Sequence, residues 1–446
     1  MEETCAGLLQ AIRPTAPFRP CGTVKTVRHG MLKVAGLAEH ATMGAPVRVM
    51  MPGGRSLPGE IVRLDDANVS VLTGGTSEGV SVGQRVVLYD PPVFSPADHW
   101  VGRIIDPYGN PLDGRPLLPG PVPRSVQTAP PAAAGRRALG PRLTSGLAVL
   151  DTVLPIVRGQ RIGLFAGSGV GKSRLLAQLA QSMDVDVTVI ALIGERGREV
   201  AEFARDVLGS VDLARSVLIA ATSDQSPFAR RQCACSAMAV AEHFRDQGKQ
   251  VLFMADSITR LAEAQREVAA VSGEPLSLRG FPPSLPPMIA SLCERAGPGT
   301  RDQGDITAIF SVLVAGSDME EPVADIVRGV LDGHIVLSRD IAERGRFPAI
   351  DVLRSVSRAL PNAANDAENA MIRDVRKLLG SYENAEVMIR AGLYSEGSDQ
   401  TLDRAVKAWP DLDAFFGKLG GASVSDSFDR LSLILRRKGN LQSVRS

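Results

Sequence analysis

Four textures of hydrophobic and polar positions succeed one another along the chain. Residues 1–17 hold one short helical pattern (Leu8, Leu9, Ile12) ending at Pro14 and Pro17, too small to bury a face alone. From about 18 to 95, short Val- and Leu-rich runs (GTVKTVRHGMLKVAGL, APVRVMM, GEIVRL, NVSVLT, QRVVLYD) are separated by Pro52-Gly53-Gly54, Asp65-Asp66 and Gly74-Gly75. Strands at that spacing predict a small all-β sandwich or barrel. From about 150 to 360, continuous apolar runs alternate with helical patterns. The expected strands are IGLFA, VTVIALIG (187–194), SVLIAAT (216–222), VLFMAD (251–256) and ITAIFSVLV (306–314), and the expected helices are 172–183, 198–207 and 229–246. This predicts an α/β core, a parallel sheet covered on both faces. Residues 96–150, with GRIIDPYGNPLDG and the Pro/Ala-rich stretch 128–134, read as a connector entering that core. Beyond 361 the period is helical, with Ile372, Val375, Leu378, Leu379 and Tyr382 on one stripe and breaks expected at Gly392, Gly397, Pro410 and Gly420-Gly421.

Composition narrows the picture. A length of 446 residues suits two or three domains. Net charge +1 and 4% aromatics argue against a broad nucleic-acid surface or base-stacking platform. The five cysteines are scattered and odd in number, so reduced thiols are expected, with neither disulfide nor zinc. His29, His40 and His99 are isolated and expected as surface or core histidines. The tail ArgArgLysGly (436–439) is expected as a solvated end. Met1-Glu2-Glu3 lacks the basic-then-apolar order of a signal peptide, and no apolar run approaches the roughly 18 residues of a membrane span. A cytoplasmic protein, with peripheral membrane contact at most, is expected.

Candidate chemistry centres on RIGLFAGSGVGKSRLL (161–176). A strand, a glycine-rich turn (Ala166, Gly167, Ser168, Gly169, Val170, Gly171), then Lys172, Ser173 and a helix is the layout of a phosphate-binding loop. Glycines let successive N–H groups face one anion, and the helix N-terminus adds positive potential. Lys172 is placed to reach β- and γ-phosphates, and Ser173 to ligate Mg²⁺. Asp256, ending VLFMAD, reads as the metal-side carboxylate or as a helix cap. Glu195, just past a strand end in LIGERGREV, reads as an orienter of water beside the γ-phosphate, with Arg196 or Arg198 as neighbouring charges, or as a surface turn. Arg358 in LRSVSRAL suits an arginine supplied to phosphoryl transfer, often by another subunit. Phe347 suits stacking on a base or core packing.

The stretches GRIIDPYGNPLDG, RGQRIGLFAGSGVGKS, LIGERGREV, TSDQSP, AEHFRDQGKQVLFMADSITRLAEAQREV, GEPLSLRGFPPSLP, PVADIVRGVLDGHIVLSR and FPAIDVLRSVSR occur in order between Gly102 and Arg358. In them the chain resembles the hexameric ATPases related to the catalytic subunit of rotary ATP synthases, and especially the flagellar and type III secretion export ATPases. The resemblance implies an N-terminal β-barrel, a RecA-like core and a helical C-terminal domain. It implies Mg-ATP hydrolysis driving protein export through a flagellar type III secretion apparatus, with an injectisome apparatus as the alternative, in a homohexameric ring with shared sites. Lys172 and Ser173 would bind phosphates and Mg²⁺, Asp256 would be the Walker B acid, and Glu195 would orient water. Arg358 would be the finger inserted by a neighbour, and Phe347 would pack on adenine. Implied partners are a stator-like regulator, a stalk-like protein, and exported proteins with their chaperones, at the inner face of the membrane and without nucleic acid. Ala166 is usual for the family.

Two stretches depart from it. Arg174 stands where Thr is common, and either touches phosphate or points outward. RRQCACSAMAV is atypical and is expected away from the site. Two other readings share the core: a non-catalytic ring subunit, which typically lacks a carboxylate at Glu195, and a nucleic-acid motor, which the charge and aromatic content disfavour.

Overall fold

The computed structural model describes residues 18–437 except 29, 91–92, 278–279, 315–318 and 422. The N-terminal helical pattern, Cys5, His29 and residues 438–439 of the basic tail therefore lie outside the described residues.

Six strands, β1 (Cys21–Arg28), β2 (Met31–Ala35), β3 (Pro46–Met50), β4 (Ser56–Leu64), β5 (Asn68–Thr73) and β6 (Arg85–Leu88), close into a barrel in the order β1-β2-β5-β4-β3-β6. Alternate side chains point inward, and Val24, Leu32, Val34, Val47, Val49, Ile61, Val69, Val71 and Val86 fill the interior. Closure leaves no unpaired sheet edge.

The 96–150 connector contains β8 (Arg103–Ile105) and β9 (Arg124–Ser125), the latter paired with β7 (Val93–Phe94) just before it, and β8 joins the core sheet, parallel to β12 (Ser216–Thr222). Arg103, the buried first residue of β8, donates to both Asp113 oxygens at 2.7 and 2.8 Å. These hydrogen bonds hold the Asp113 carboxyl well below the usual carboxylate range. A three-residue strand is too short to give a period, so the sequence hides it.

The core sheet is completed by β10 (Arg161–Ala166), β11 (Val187–Glu195), β13 (Val251–Asp256), β14 (Gly297–Pro298), β15 (Asp305–Leu313), β16 (Gly333–Leu337) and β17 (Ile350–Ser357). Its order is β17-β16-β10-β15-β13-β11-β12-β8, with β14 beside β15. The sheet is parallel from β16 through β8, while β17 runs antiparallel to β16. The two faces bury different helices. Ile162, Leu164, Ile190, Leu192 and Met254 pack with the helix Lys172–Ser182 and the C-terminal helices; Phe165, Val189, Ile193, Phe253 and Phe310 pack under the helices Pro227–Asp246, Ile258–Ser272 and Leu285–Arg295.

Three further details differ from expectation. The helix expected over 198–207 is Gly197–Glu202 followed by a π-turn, Phe203–Val207. β16 and β17 are absent from the expected strands: β16 has only five residues, and β17 alternates buried and more exposed positions, so neither reads as a long apolar run. Pro410 does not break the chain: the helix Gln400–Phe416 runs through it. The lost N–H bond is outweighed by burial of Ala405, Ala408, Leu412, Phe415 and Phe416 on one stripe. Two more helices, Asp366–Arg390 and Val424–Arg437, complete the C-terminal domain, the last ending in the two arginines of the basic tail. Cys21, Cys233, Cys235 and Cys293 are free thiols.

A buried ion pair ties connector to core. Arg295 donates to Glu242 at 2.9 and 2.8 Å, both side chains being 3% exposed, while Thr128 donates to the same carboxylate at 3.0 Å and Val126 accepts from Arg295 at 2.9 Å. Arg295→Ala would strand the Glu242 charge, so a loss of about 3–5 kcal/mol in unfolding free energy is expected by chemical denaturation. A loss below about 1 kcal/mol would show that water reaches the pair.

Candidate phosphate-binding and hydrolytic site

In a parallel sheet the loops after the strands gather at one edge, and here they gather the predicted chemistry. Apolar β10 stops at Ala166, whose carbonyl accepts from Val314 N at 3.1 Å. The chain then turns through Gly169 (φ 78°) and Gly171 (φ 90°), both left-handed, where a side chain would strain the backbone. Val170 is buried and anchors the loop. Lys172 opens the following helix, whose first turn has no side-chain cap. Its N–H groups therefore face outward for an anion.

Lys172 Nζ pairs with Asp256 Oδ1, which also accepts from Ser311 Oγ at 2.7 Å. Asp256 is only 3% exposed. The helix after it is capped by Ser257, whose hydroxyl accepts from Arg260 N, so the cap reading of Asp256 is set aside. Ser173 is exposed on the first helical turn. Just past the Leu192–Asp256 register pair, Gly194 turns left-handed and presents Glu195 to the same edge. Burial pushes the Glu195 carboxyl up to about 7, helped by a hydrogen bond with Glu199 and the nearby Asp256 charge and opposed by Lys172. The same bond holds Glu199 below its usual range.

Phe347 lies against the loop: a Cβ on Gly171 would stand 3.3 Å from its ring. The residue is 46% exposed, which leaves the ring open to a ligand. Arg174 is exposed on the first helical turn, pointing outward. Arg198 pairs with Glu202 at 3.0 Å, and Arg196 lies 3.8 Å from Glu199, so neither pairs with Glu195. The run RRQCACSAMAV does not lie wholly away from the site: Arg230 Cδ would be 3.4 Å from a Cβ on Gly194.

Arg358 is not brought to this edge. Because β17 is antiparallel, Ile350 pairs with Leu337 near the loop and Ser357 with Gly333 at the opposite end. Arg358 is exposed there, donating from N to Asp332 O and from Nη1 to Leu331 O, both at 3.0 Å. Four residue steps of strand put it more than about 13 Å from the loop edge. Sequence reasoning missed Glu199, Ser311 and Arg339, whose Nη2 donates to Ser168 O at 3.3 Å. Only Glu199 left a signal, four residues after Glu195 in one motif.

Residues 146–357 match the nucleotide-binding domain of the ATP synthase alpha/beta family, and residues 364–424 match the C-terminal domain of the type III secretion ATPase EscN. The flagellum-specific ATP synthase of Caulobacter vibrioides is 42% identical over 438 residues, covering 96% of this chain and 99% of that one. The structure of the assembled EscN from enteropathogenic E. coli superposes with TM-score 0.85 at 36% identity, covering 93% of this chain and all of that one. EscN in complex with its central stalk EscO gives TM-score 0.83, with the same identity and coverage. The strand–loop–helix that carries Lys172, the acid-tipped strand of Asp256 and the whole-length likeness agree: the chain belongs to the ATP synthase alpha/beta family, and within it to the flagellum-specific and type III secretion ATPases.

Proposed function

We propose that this ATPase hydrolyses Mg-ATP at the 166–173 loop to energise flagellar protein export, as a six-membered ring with sites shared between neighbours. The carrying observation is the convergence of Lys172, Asp256 and Glu195 on one sheet edge. In the mechanism, loop N–H groups and Lys172 bind the phosphates, and Phe347 offers a face for the adenine. Glu195, when ionised, accepts a hydrogen bond from the attacking water and orients it toward the γ-phosphorus. Bound Mg²⁺ would neutralise phosphate charge. The residues fit it: Ser173 hydroxyl and Asp256 carboxylate are hard oxygen donors, and among the described residues no group of three or more His, Cys, Asp or Glu forms a metal cage. That suits an ion completed by phosphate oxygens and water. Arg358, too far from its own loop, serves a neighbour.

The carboxylate at Glu195, beside a lysine-bearing loop, favours this over a binding-only subunit. A stalk-like partner is proposed from the EscN–EscO likeness; a stator-like regulator and exported clients with chaperones are proposed from the family. No helix among the described residues is long and apolar enough to cross a membrane. We place the protein in the cytoplasm, peripheral to the membrane.

The site is tested by nucleotide binding. Lys172→Ala is expected to weaken fluorescent ATP-analogue binding by at least about tenfold, because the anion loses its charge-assisted donor. Unchanged affinity would move the site elsewhere.

A further inference from the structure

We propose that Arg339 is a positioning residue that holds the crown of the phosphate loop in the form the nucleotide meets. The inference rests on the loop reading above. Three glycines in the six residues 166–171 make that loop costly to order, since glycine loses more conformational freedom than any other residue. Among the described residues, Arg339 is the one side chain that hydrogen-bonds the backbone between Gly167 and Val170, through its bond to Ser168 O. A guanidinium suits the task, because its planar fork keeps further N–H groups free after one is used.

An exposed arginine orders a loop only if its own base is fixed, and here it is. Arg339 opens the short helix Arg339–Glu343, which follows β16 directly. Downstream, Arg346 Nε pairs with Asp413 at 2.9 Å and its Nη2 donates to Ile350 O at 2.9 Å, with only 8% of its side chain exposed. Residues 339–347 thus form a bracket footed on the C-terminal helices. One end touches Ser168, and the other lays Phe347 against Gly171. The loop is gripped at its crown and at its foot.

A bond to a loop carbonyl acts on binding before chemistry. Its loss makes the nucleotide order the loop itself, which lowers affinity for every nucleotide that fills the loop and leaves the reacting groups in place. For Arg339→Ala, the expected result is KM for ATP up by about three- to tenfold with kcat within about twofold. ADP should weaken by the same factor as ATP, and AMP should not change. Arg339→Lys should recover part of the loss, since its ammonium restores a cationic donor without the planar fork.

The proposal is overturned if ATP weakens and ADP does not, which would make Arg339 a γ-phosphate contact. It is also overturned if kcat falls with KM unchanged, or if neither parameter moves. Lys172→Ala, measured alongside, separates this from the underlying reading. If Lys172→Ala binds normally, the loop is not the site. If Lys172→Ala fails to bind while Arg339→Ala matches the parent, the loop stands and the bracket role falls.

Discussion

Glu195→Gln is expected to bind ATP as tightly as the parent and to lose turnover by about 10²- to 10⁴-fold, the range attributable to a positioned base. The amide keeps the size and one acceptor but cannot take a proton. The side chain's half-buried setting makes the effect readable through pH as well. With its carboxyl pushed up to about 7, Glu195 is increasingly protonated as pH falls below that value. Protonation removes the acceptor for water, so kcat/KM should drop on the acid side of about 7, approaching about tenfold per pH unit. Glu199→Gln removes the neighbouring carboxylate that raises Glu195 and offers an amide donor instead, so the acid limb should move to lower pH. Steady-state ATPase profiles of the three proteins decide it. Near-normal hydrolysis by Glu195→Gln, or an acid limb at the ordinary glutamate value of 4.5 in the parent, would remove Glu195 from the role.

Arg358→Ala is expected to cost about 10³- to 10⁵-fold in kcat, the scale of an arginine that stabilises charge in phosphoryl transfer. Its folding should be unaffected, because the side chain is exposed and its one side-chain bond goes to a carbonyl at the sheet's far end. The informative experiment mixes two inactive proteins. Lys172→Ala spoils the loop and keeps Arg358; Arg358→Ala does the reverse. Mixed assemblies should regain activity at those junctions where an intact loop meets an intact arginine. If activity stays at the level of either variant alone, Arg358 does not act across a junction.

Legibility in the sequence tracks the physics of each element. β10, β11, β13 and β15 are visible because strands buried on both faces read as unbroken apolar runs. The 166–173 loop is visible because left-handed turns demand glycine at fixed positions. β8 and β17 escape: one has three residues, and the other alternates buried and exposed positions at the sheet's edge. Pro410 misleads because helix propensity is local, whereas burial of Leu412, Phe415 and Phe416 is tertiary. In the site, residues that must sit beside phosphate carry motif spacing. Ser311 and Arg339 are recruited by the fold from distant parts of the chain, and no spacing announces them. Arg358's separation from the loop depends on one strand's direction, which spacing does not encode.

That direction has a consequence for symmetry. A protomer with its loop at one end of the sheet and its arginine at the other has a receiving edge and a giving edge. If Arg358 acts across a junction, a two-fold pair could exchange arginine for loop only by using one face for both. In a head-to-tail join one face gives and another receives, and such joins either close on themselves or run on as an open array. In an open arc, one terminal loop always lacks its arginine, whatever the arc's length. Closure is the arrangement in which every chain both gives and receives, so the last subunit to join completes two junctions and not one.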